Sequence, residues 1–183
     1  MANKHVKKTI VLGVSGSIAS YKAADLVSDL TKNGYDVCVI MTKEATEFIS
    51  PLTLQTLSGN KVYSGMFELP EEWDAKHISL AKKADLIVIA PATANIIGKL
   101  ANGICDDLLS CTAVASEAPV LIAPAMNDVM YNNKIVQENI AKLKGVGYKF
   151  VGPKKGRLAC GDIAVGCLAD VDDIVKEIEK TAR

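Results

Sequence analysis

The sequence predicts an α/β fold, an open parallel sheet with helices on both faces in the three-layer Rossmann/flavodoxin-like manner. Three observations predict it. Short apolar runs alternate with stretches of helical periodicity. Ala, Val, Ile and Leu carry the apolar weight while aromatic residues make up only 5% of the chain, as strands buried on both faces require. The 183 residues fit a single domain spanning 1–183.

The elements follow in order. The run 9–14 is a strand, and 17–33 a helix, with Ile18, Tyr21, Leu26 and Leu30 near helical spacing and Asn33-Gly34 as its stop. A second strand covers 36–41. A short helix over 51–57 closes at Ser58-Gly59. Residues 60–76, which include Met66, Phe67 and Trp73, lack periodicity and read as a long surface loop whose apolar groups want a partner. The apolar run 86–90 is a strand that meets Pro91 and leads into a helix through Leu100. A helix over 106–116, a strand over 120–123, a helix over 134–144, a short strand over 148–151 and a closing helix over 171–180 complete the chain. The segment between the last strand and helix reads as long and irregular.

Lys plus Arg number 21, and so do Asp plus Glu. A net charge of zero gives no support to general nucleic-acid binding, which wants a basic surface. No segment approaches the roughly 18 apolar residues of a membrane helix, and the run 9–14 is too short for a signal-peptide core of about 7–15 residues. A cytoplasmic protein without membrane or nucleic-acid partners is expected. The five cysteines form no CxxC and no close cluster with histidine, which points away from a disulfide framework and from a metal site.

The first strand ends in Gly13-Val14-Ser15-Gly16-Ser17 and a helix begins at once. Small residues at a helix N-terminus admit an anion. The pattern is neither GxGxxG nor a P-loop, and no acidic residue ends the second strand, so a mononucleotide phosphate fits better than a dinucleotide. The same residues also read as a capped helix after a tight turn. Ligands of open parallel sheets sit at the carboxyl ends of the strands. There the loops carry Ser15, Gly16 and Ser17; Thr42 and Phe48; Pro91, Ala92, Thr93, Ala94 and Asn95; and Ala125 with Asn127.

Two histidines are available, and His5 lies in a polar tail. His77 opens a helical run, where a helix N-terminus disfavours imidazolium and suits a proton-exchanging group; a capping or packing histidine is the alternative. Asn127 is either a ligand-holding amide or an N-cap. Cys160 lies within Arg157-Leu158-Ala159-Cys160-Gly161-Asp162, a segment suited to a lid.

At these residues the chain resembles the flavin-containing cysteine decarboxylases. Ser15-Gly16-Ser17-Ile18-Ala19 is similar to that family's phosphate loop, His77-Ile78-Ser79-Leu80 to its histidine segment, and Pro91-Ala92-Thr93-Ala94-Asn95 to its flavin-contacting motif. Pro124-Ala125-Met126-Asn127-Asp128-Val129-Met130 is similar to its PxMN motif, with Tyr131 in place of tryptophan. Ala159-Cys160-Gly161-Asp162 is similar to the substrate clamp of members that act on phosphopantothenoylcysteine. The resemblance implies FMN held by the strand-end loops above, and a flexible clamp around 152–170. It implies catalytic roles for His77, Asn127 and Cys160, with Asn127, Met130, Ala159, Cys160 and Gly161 against the substrate. It implies a homotrimer or homododecamer with flavin at the subunit boundary. The synthetase that attaches cysteine is expected on a separate chain. Lys154, Lys155 and Arg157 are candidates for the substrate phosphate, or a solvated charged loop.

The implied reaction converts 4'-phospho-N-pantothenoylcysteine to 4'-phosphopantetheine in coenzyme A synthesis. Direct loss of CO2 would leave an unstabilised carbanion. Oxidising CH2–SH to a thioaldehyde lets the electrons of the breaking bond flow onto sulfur as an enethiolate, and re-reduction follows. A peptidyl-cysteine decarboxylase shares the His and Asn motifs but not Ala159-Cys160-Gly161. A flavin prenyltransferase lacks the PxMN asparagine. Phosphatase-binding relatives carry long acidic tails, which this sequence lacks.

Overall fold

A computed structural model of the chain describes residues 7–66 and 75–182. Six strands form one parallel sheet in the order β3-β2-β1-β4-β5-β6, the doubly wound Rossmann order. Its centre is β1 (Thr9–Val14), flanked by β2 (Asp36–Met41) and β4 (Leu86–Ala92). Outside them lie β3 (Val62–Tyr63), β5 (Val120–Pro124) and β6 (Lys149–Phe150).

Alternation along the strands divides the core in two. Ile10, Leu12, Val14, Val37 and Val39 face α1 (Lys22–Lys32), α2 (Pro51–Ser58) and α8 (Val171–Thr181) through Leu26, Leu30, Leu54, Ile174 and Ile178. Val11, Ile40, Ile87, Ile89 and Ile122 face the other way. They meet α3 (Lys76–Lys83), α4 (Ala94–Ala101), α5 (Leu108–Ala115) and α7 (Lys134–Gly145) through Leu80, Ile97, Leu109 and Leu143. Most of these side chains are fully buried, each contributing about 1.5–3 kcal/mol. Gly13 lets α5 close on β1, since a Cβ there would lie 2.4 Å from Leu109.

The structure departs from the sequence reading in several places. The helix expected over 17–33 opens with a 3-10 turn, Ile18–Tyr21, before α1 begins. The loop expected over 60–76 contains β3, because Asn60 donates from Nδ2 to the Asp36 carboxylate (2.8 Å) and to Val37 O (2.9 Å) and lays the chain beside β2. Phe67 and Trp73 of that loop, like His5, lie outside the described residues. The strand expected over 86–90 continues through Pro91 to Ala92. A short helix, α6 (Asp128–Asn132), precedes α7. The segment read as irregular before α8 is an antiparallel hairpin of β7 (Lys154–Arg157) and β8 (Ile163–Cys167).

The order reverses between β1 and β4: the chain leaves β1 toward β2 and leaves β4 toward β5. A crevice at that switch point is where ligands of such sheets sit.

Candidate functional site

Hydrogen bonds tie the strand-end loops into one rim. Ser15 is buried; its Oγ donates to Pro91 O (2.8 Å) and accepts from Thr93 N (3.0 Å). Both bonds join the loop after β1 to the loop after β4, so this hydroxyl is spent within the protein. Ser17 caps the 3-10 turn, accepting from Ala19 N (3.3 Å) and donating to Ala125 O (3.4 Å). The capped-turn reading of this segment is thereby realised. Fully buried Ser20, which sequence reasoning missed, donates between Ser17 O and Ser15 O (2.6 and 2.9 Å). Its signal was the capping-box spacing from Ser17.

A Cβ on Gly16 would lie 2.4 Å from Glu44 Cβ, so only glycine admits the neighbouring loop there. Thr42 caps that loop's turn, and its N–H donates to Val14 O (3.0 Å); Phe48, at the turn's end, is largely exposed. Ala92 is buried at the end of β4, where its carbonyl accepts from Ala125 N (3.0 Å). Thr93 caps α4, Ala94 begins it and Asn95 stands exposed.

The hairpin closes the fourth side. Met126 N donates to Gly166 O (3.0 Å), and a Cβ on Gly166 would lie 2.2 Å from Met126 O. That contact between backbones sets the hairpin against the loop after β5. Across it, Asn127 Nδ2 reaches Cys160 Sγ at 3.9 Å, and Cys160 Sγ reaches Asp162 Oδ2 at 3.3 Å. Asn127 serves as N-cap of α6 as well, since Oδ1 accepts from Val129 N (2.9 Å). The two readings of this amide are compatible: the cap holds the oxygen and leaves the NH2 as a donor toward the cleft. Gly161, at φ +103, supplies the left-handed residue that turns the chain between Cys160 and Asp162.

The open cleft measures about 530 Å³. Gly16, Ser17, Thr93, Ala125, Asn127, Met130, Ala159 and Cys160 all line it. Ser15, Thr42, Phe48, Pro91, Ala92, Ala94, Asn95 and Gly161 support the rim or stand outside it. His77, half-buried in the first turn of α3, lines no part of it. Of the basic residues near the hairpin, Lys154 is hydrogen-bonded to Asp170. That bond holds the Lys154 ammonium above and the Asp170 carboxyl below their ordinary ranges. Lys155 is exposed outside the cleft, and Arg157 lines it, as does Lys22 at the start of α1. Among the lining residues there is no Asp or Glu. The arrangement offers a slot floored by small residues, two hydroxyls on the rim, an oriented amide donor and a thiol.

The whole chain, residues 1–183, matches the model of the family described as Flavoprotein. It is 53% identical to a "Probable phosphopantothenoylcysteine decarboxylase" of Streptococcus mutans serotype c, over 94% of this chain and 98% of that protein. It is 50% identical to the "Coenzyme A biosynthesis bifunctional protein CoaBC" of Borreliella burgdorferi, over 96% of this chain but only 44% of that one. Among solved structures, it superposes with a TM-score of 0.86 on a cysteine-to-serine variant of PPC decarboxylase complexed with pantothenoylaminoethenethiol, 32% identical, covering 95% of this chain and 97% of that chain. With "The FMN binding protein AtHal3" the TM-score is 0.85 at 33% identity, covering 95% and 96%.

Proposed function

On the premise that this chain belongs to the Flavoprotein family, we propose that it is an FMN-dependent decarboxylase that converts 4'-phospho-N-pantothenoylcysteine to 4'-phosphopantetheine in coenzyme A synthesis. The observation that carries the reading is the apposition of Asn127 Nδ2 and Cys160 Sγ at 3.9 Å. It joins the loop after β5 to the hairpin turn, two segments 33 residues apart.

The cleft suits the cofactor. Gly16, Ala125 and Ala159 leave room for a flat ring, Ile18, Met130 and Leu168 give it apolar walls, and Thr93 keeps a hydroxyl hydrogen to donate, whereas Ser17 would have to turn its own from Ala125 O. Ser17, Thr93 and Ala125 are the residues that would hold it. When bound, FMN supplies a two-electron acceptor for thiol oxidation and returns the pair after CO2 has left. The protein's part is orientation and proton management. Asn127 holds the substrate carboxylate through Nδ2, its oxygen being fixed by the α6 cap. Cys160 gives its proton to the enethiolate carbon system, with the Asp162 carboxylate beside it. His77 transfers the proton of the early steps.

His77 does not face the cleft within one chain, and Ile18, Tyr21 and Met130 line the cleft yet remain about half or more exposed (59%, 58% and 49%). Both observations support a homotrimer, or a homododecamer built from trimers, in which a neighbouring subunit covers the cleft and brings His77 to it. In this reading the chain works in the cytosol. It carries the decarboxylase unit, in the manner of the Streptococcus mutans relative that it covers almost whole. The test is direct. The purified yellow protein, given phosphopantothenoylcysteine, should yield by mass spectrometry a product lighter by one CO2 and no oxidised enethiol. An inert, colourless protein after reconstitution with FMN overturns the reading.

A further inference from the structure

The thiol of Cys160 is gripped from two sides. Asn127 Nδ2 donates toward the sulfur at 3.9 Å, and Sγ–H donates to Asp162 Oδ2 at 3.3 Å. An ionised carboxylate only accepts, so the hydrogen of the second bond comes from the sulfur. Among the described residues the Asp162 carboxylate has no other hydrogen-bond or ion-pair partner. The hairpin end does not rely on this side chain either. Backbone bonds close it, from Leu158 N to Asp162 O (2.8 Å) and from Gly161 N to Leu158 O (2.9 Å). Asp162 is exposed, and water alone would satisfy its carboxylate. Its one specific contact is the thiol.

The two grips part company during the reaction. Asn127 Nδ2 turns to the substrate carboxylate, which leaves Asp162 as the group that fixes the thiol. A cysteine side chain has three staggered positions, and at an exposed hairpin end little packing selects among them. The bond to Asp162 selects the one beside Asn127, where CO2 leaves. The step that needs the thiol there balances as follows. Loss of CO2 leaves an enethiolate, N–CH=CH–S⁻. The Cys160 proton goes to the carbon that carried the carboxylate, and the charge on the substrate sulfur folds back into a C=S bond. The electron pair removed in the first oxidation returns as hydride to the sulfur-bearing carbon. The product thiolate recovers the proton lost at the start, and Cys160 recovers its own from water, so the whole reaction consumes one proton. An enethiolate that finds no thiol in place leaves instead as the oxidised enethiol.

We propose that Asp162 is a positioning residue for the second half of the reaction. By accepting the Cys160 S–H bond it holds the thiol where the enethiolate forms, and so decides between phosphopantetheine and the oxidised enethiol as product. This rests on the reading of the chain as a decarboxylase of phosphopantothenoylcysteine. Asp162→Ala removes the acceptor and keeps the backbone bonds of the hairpin end. Asp162→Asn removes the charge but keeps an oxygen that can accept.

The experiment follows one anaerobic turnover of phosphopantothenoylcysteine by flavin absorbance, with the product identified by mass. It also records the infrared S–H stretch of Cys160 in the resting protein, assigned by difference from Cys160→Ser. In wild type the flavin should bleach and recover. In Asp162→Ala bleaching and CO2 release should persist while recovery slows by at least about tenfold, the scale of one lost hydrogen bond to a charged group, and the enethiol should accumulate. The S–H band should move to higher frequency in the same variant. Asp162→Asn should keep most of the recovery. Wild-type recovery in Asp162→Ala, or equal slowing of bleaching and recovery, would overturn the proposal. So would an Asp162→Asn variant as slow as Asp162→Ala, which would assign the effect to charge, and so would an S–H band at the same frequency in wild type and Asp162→Ala. A wild type that never bleaches would overturn the functional reading beneath it, and the S–H band would still test the contact.

Discussion

Cys160 and Asn127 meet across a gap of 3.9 Å, and the chemistry asks different things of each. In the proposed reaction Asn127 acts before CO2 leaves and Cys160 after. Replacing Cys160 by Ser hardly changes size but substitutes a much weaker acid. Oxidation and decarboxylation should survive while return of the electrons stalls. The Cys160→Ser variant should release CO2 once per flavin, leave the flavin bleached, and give an enethiol two hydrogens lighter than phosphopantetheine, as read by absorbance and mass. A cysteine that only fills space would give the ordinary product more slowly. For His77→Asn, bound flavin should persist and turnover fall by about a hundredfold, the scale of a lost acid–base group; near-normal turnover would leave His77 a packing residue.

At the scale of elements, the hairpin owes its seat to Gly166. A methyl group there would collide with Met126 O at 2.2 Å, with backbone on both sides and little freedom to yield. Gly166→Ala should cost about 1–3 kcal/mol in thermal unfolding, as overpacking does, and should lower activity further by drawing Cys160 away from Asn127. Thermal stability and activity both at wild-type level would show that the hairpin does not depend on this approach. A second joint lies at the sheet edge, where Lys83 at the end of α3 pairs with Asp36 at 2.9 Å while Asn60 bonds the other carboxylate oxygen. Partial burial works to raise the Asp36 carboxyl, but the hydrogen bonds from Lys83 and Asn60 outweigh it and hold the group below the ordinary aspartate range. A carboxyl depressed by folding adds stability that is present above its unfolded pKa and lost as pH falls through the folded one. Asp36→Asn should therefore destabilise at neutral pH by no more than about 1 kcal/mol, the pair being partly exposed. The difference from wild type should vanish in acid denaturation below the aspartate range, and a difference constant across pH would show that the charge plays no part.

At the scale of the whole molecule, the cleft holds two of the three groups assigned to the chemistry, and the third lies on α3. If a neighbouring subunit supplies it, the particle should be a trimer or a multiple of three by light scattering. A fully active monomer would contradict that. A complementation experiment is sharper. His77→Asn and Asn127→Ala subunits should each be nearly inactive alone, but co-expressed they should form some sites carrying neither change and recover part of the activity. No recovery, in mixed particles proven by mass, would place all three groups in one subunit.

Composition and periodicity by themselves determined the layered fold, the positions of the main strands and helices, and the four strand-end loops where a ligand would sit. Those features are local: a buried parallel strand needs an unbroken apolar run, and a capped helix needs its cap residue a fixed number of positions away. The motif order, read as a resemblance, supplied the candidate residues. The tertiary structure alone decided how those residues are used. Ser15 turns inward because its partners, Pro91 and Thr93, lie 76 and 78 residues away. Asn127 is both cap and donor because one end of its amide meets its own helix and the other meets a hairpin 33 residues on. The strand β3 exists because Asn60 finds Asp36 and Val37 across the sheet edge. Each of these outcomes depends on which distant backbone group arrives beside a side chain, and no window along the chain contains that information.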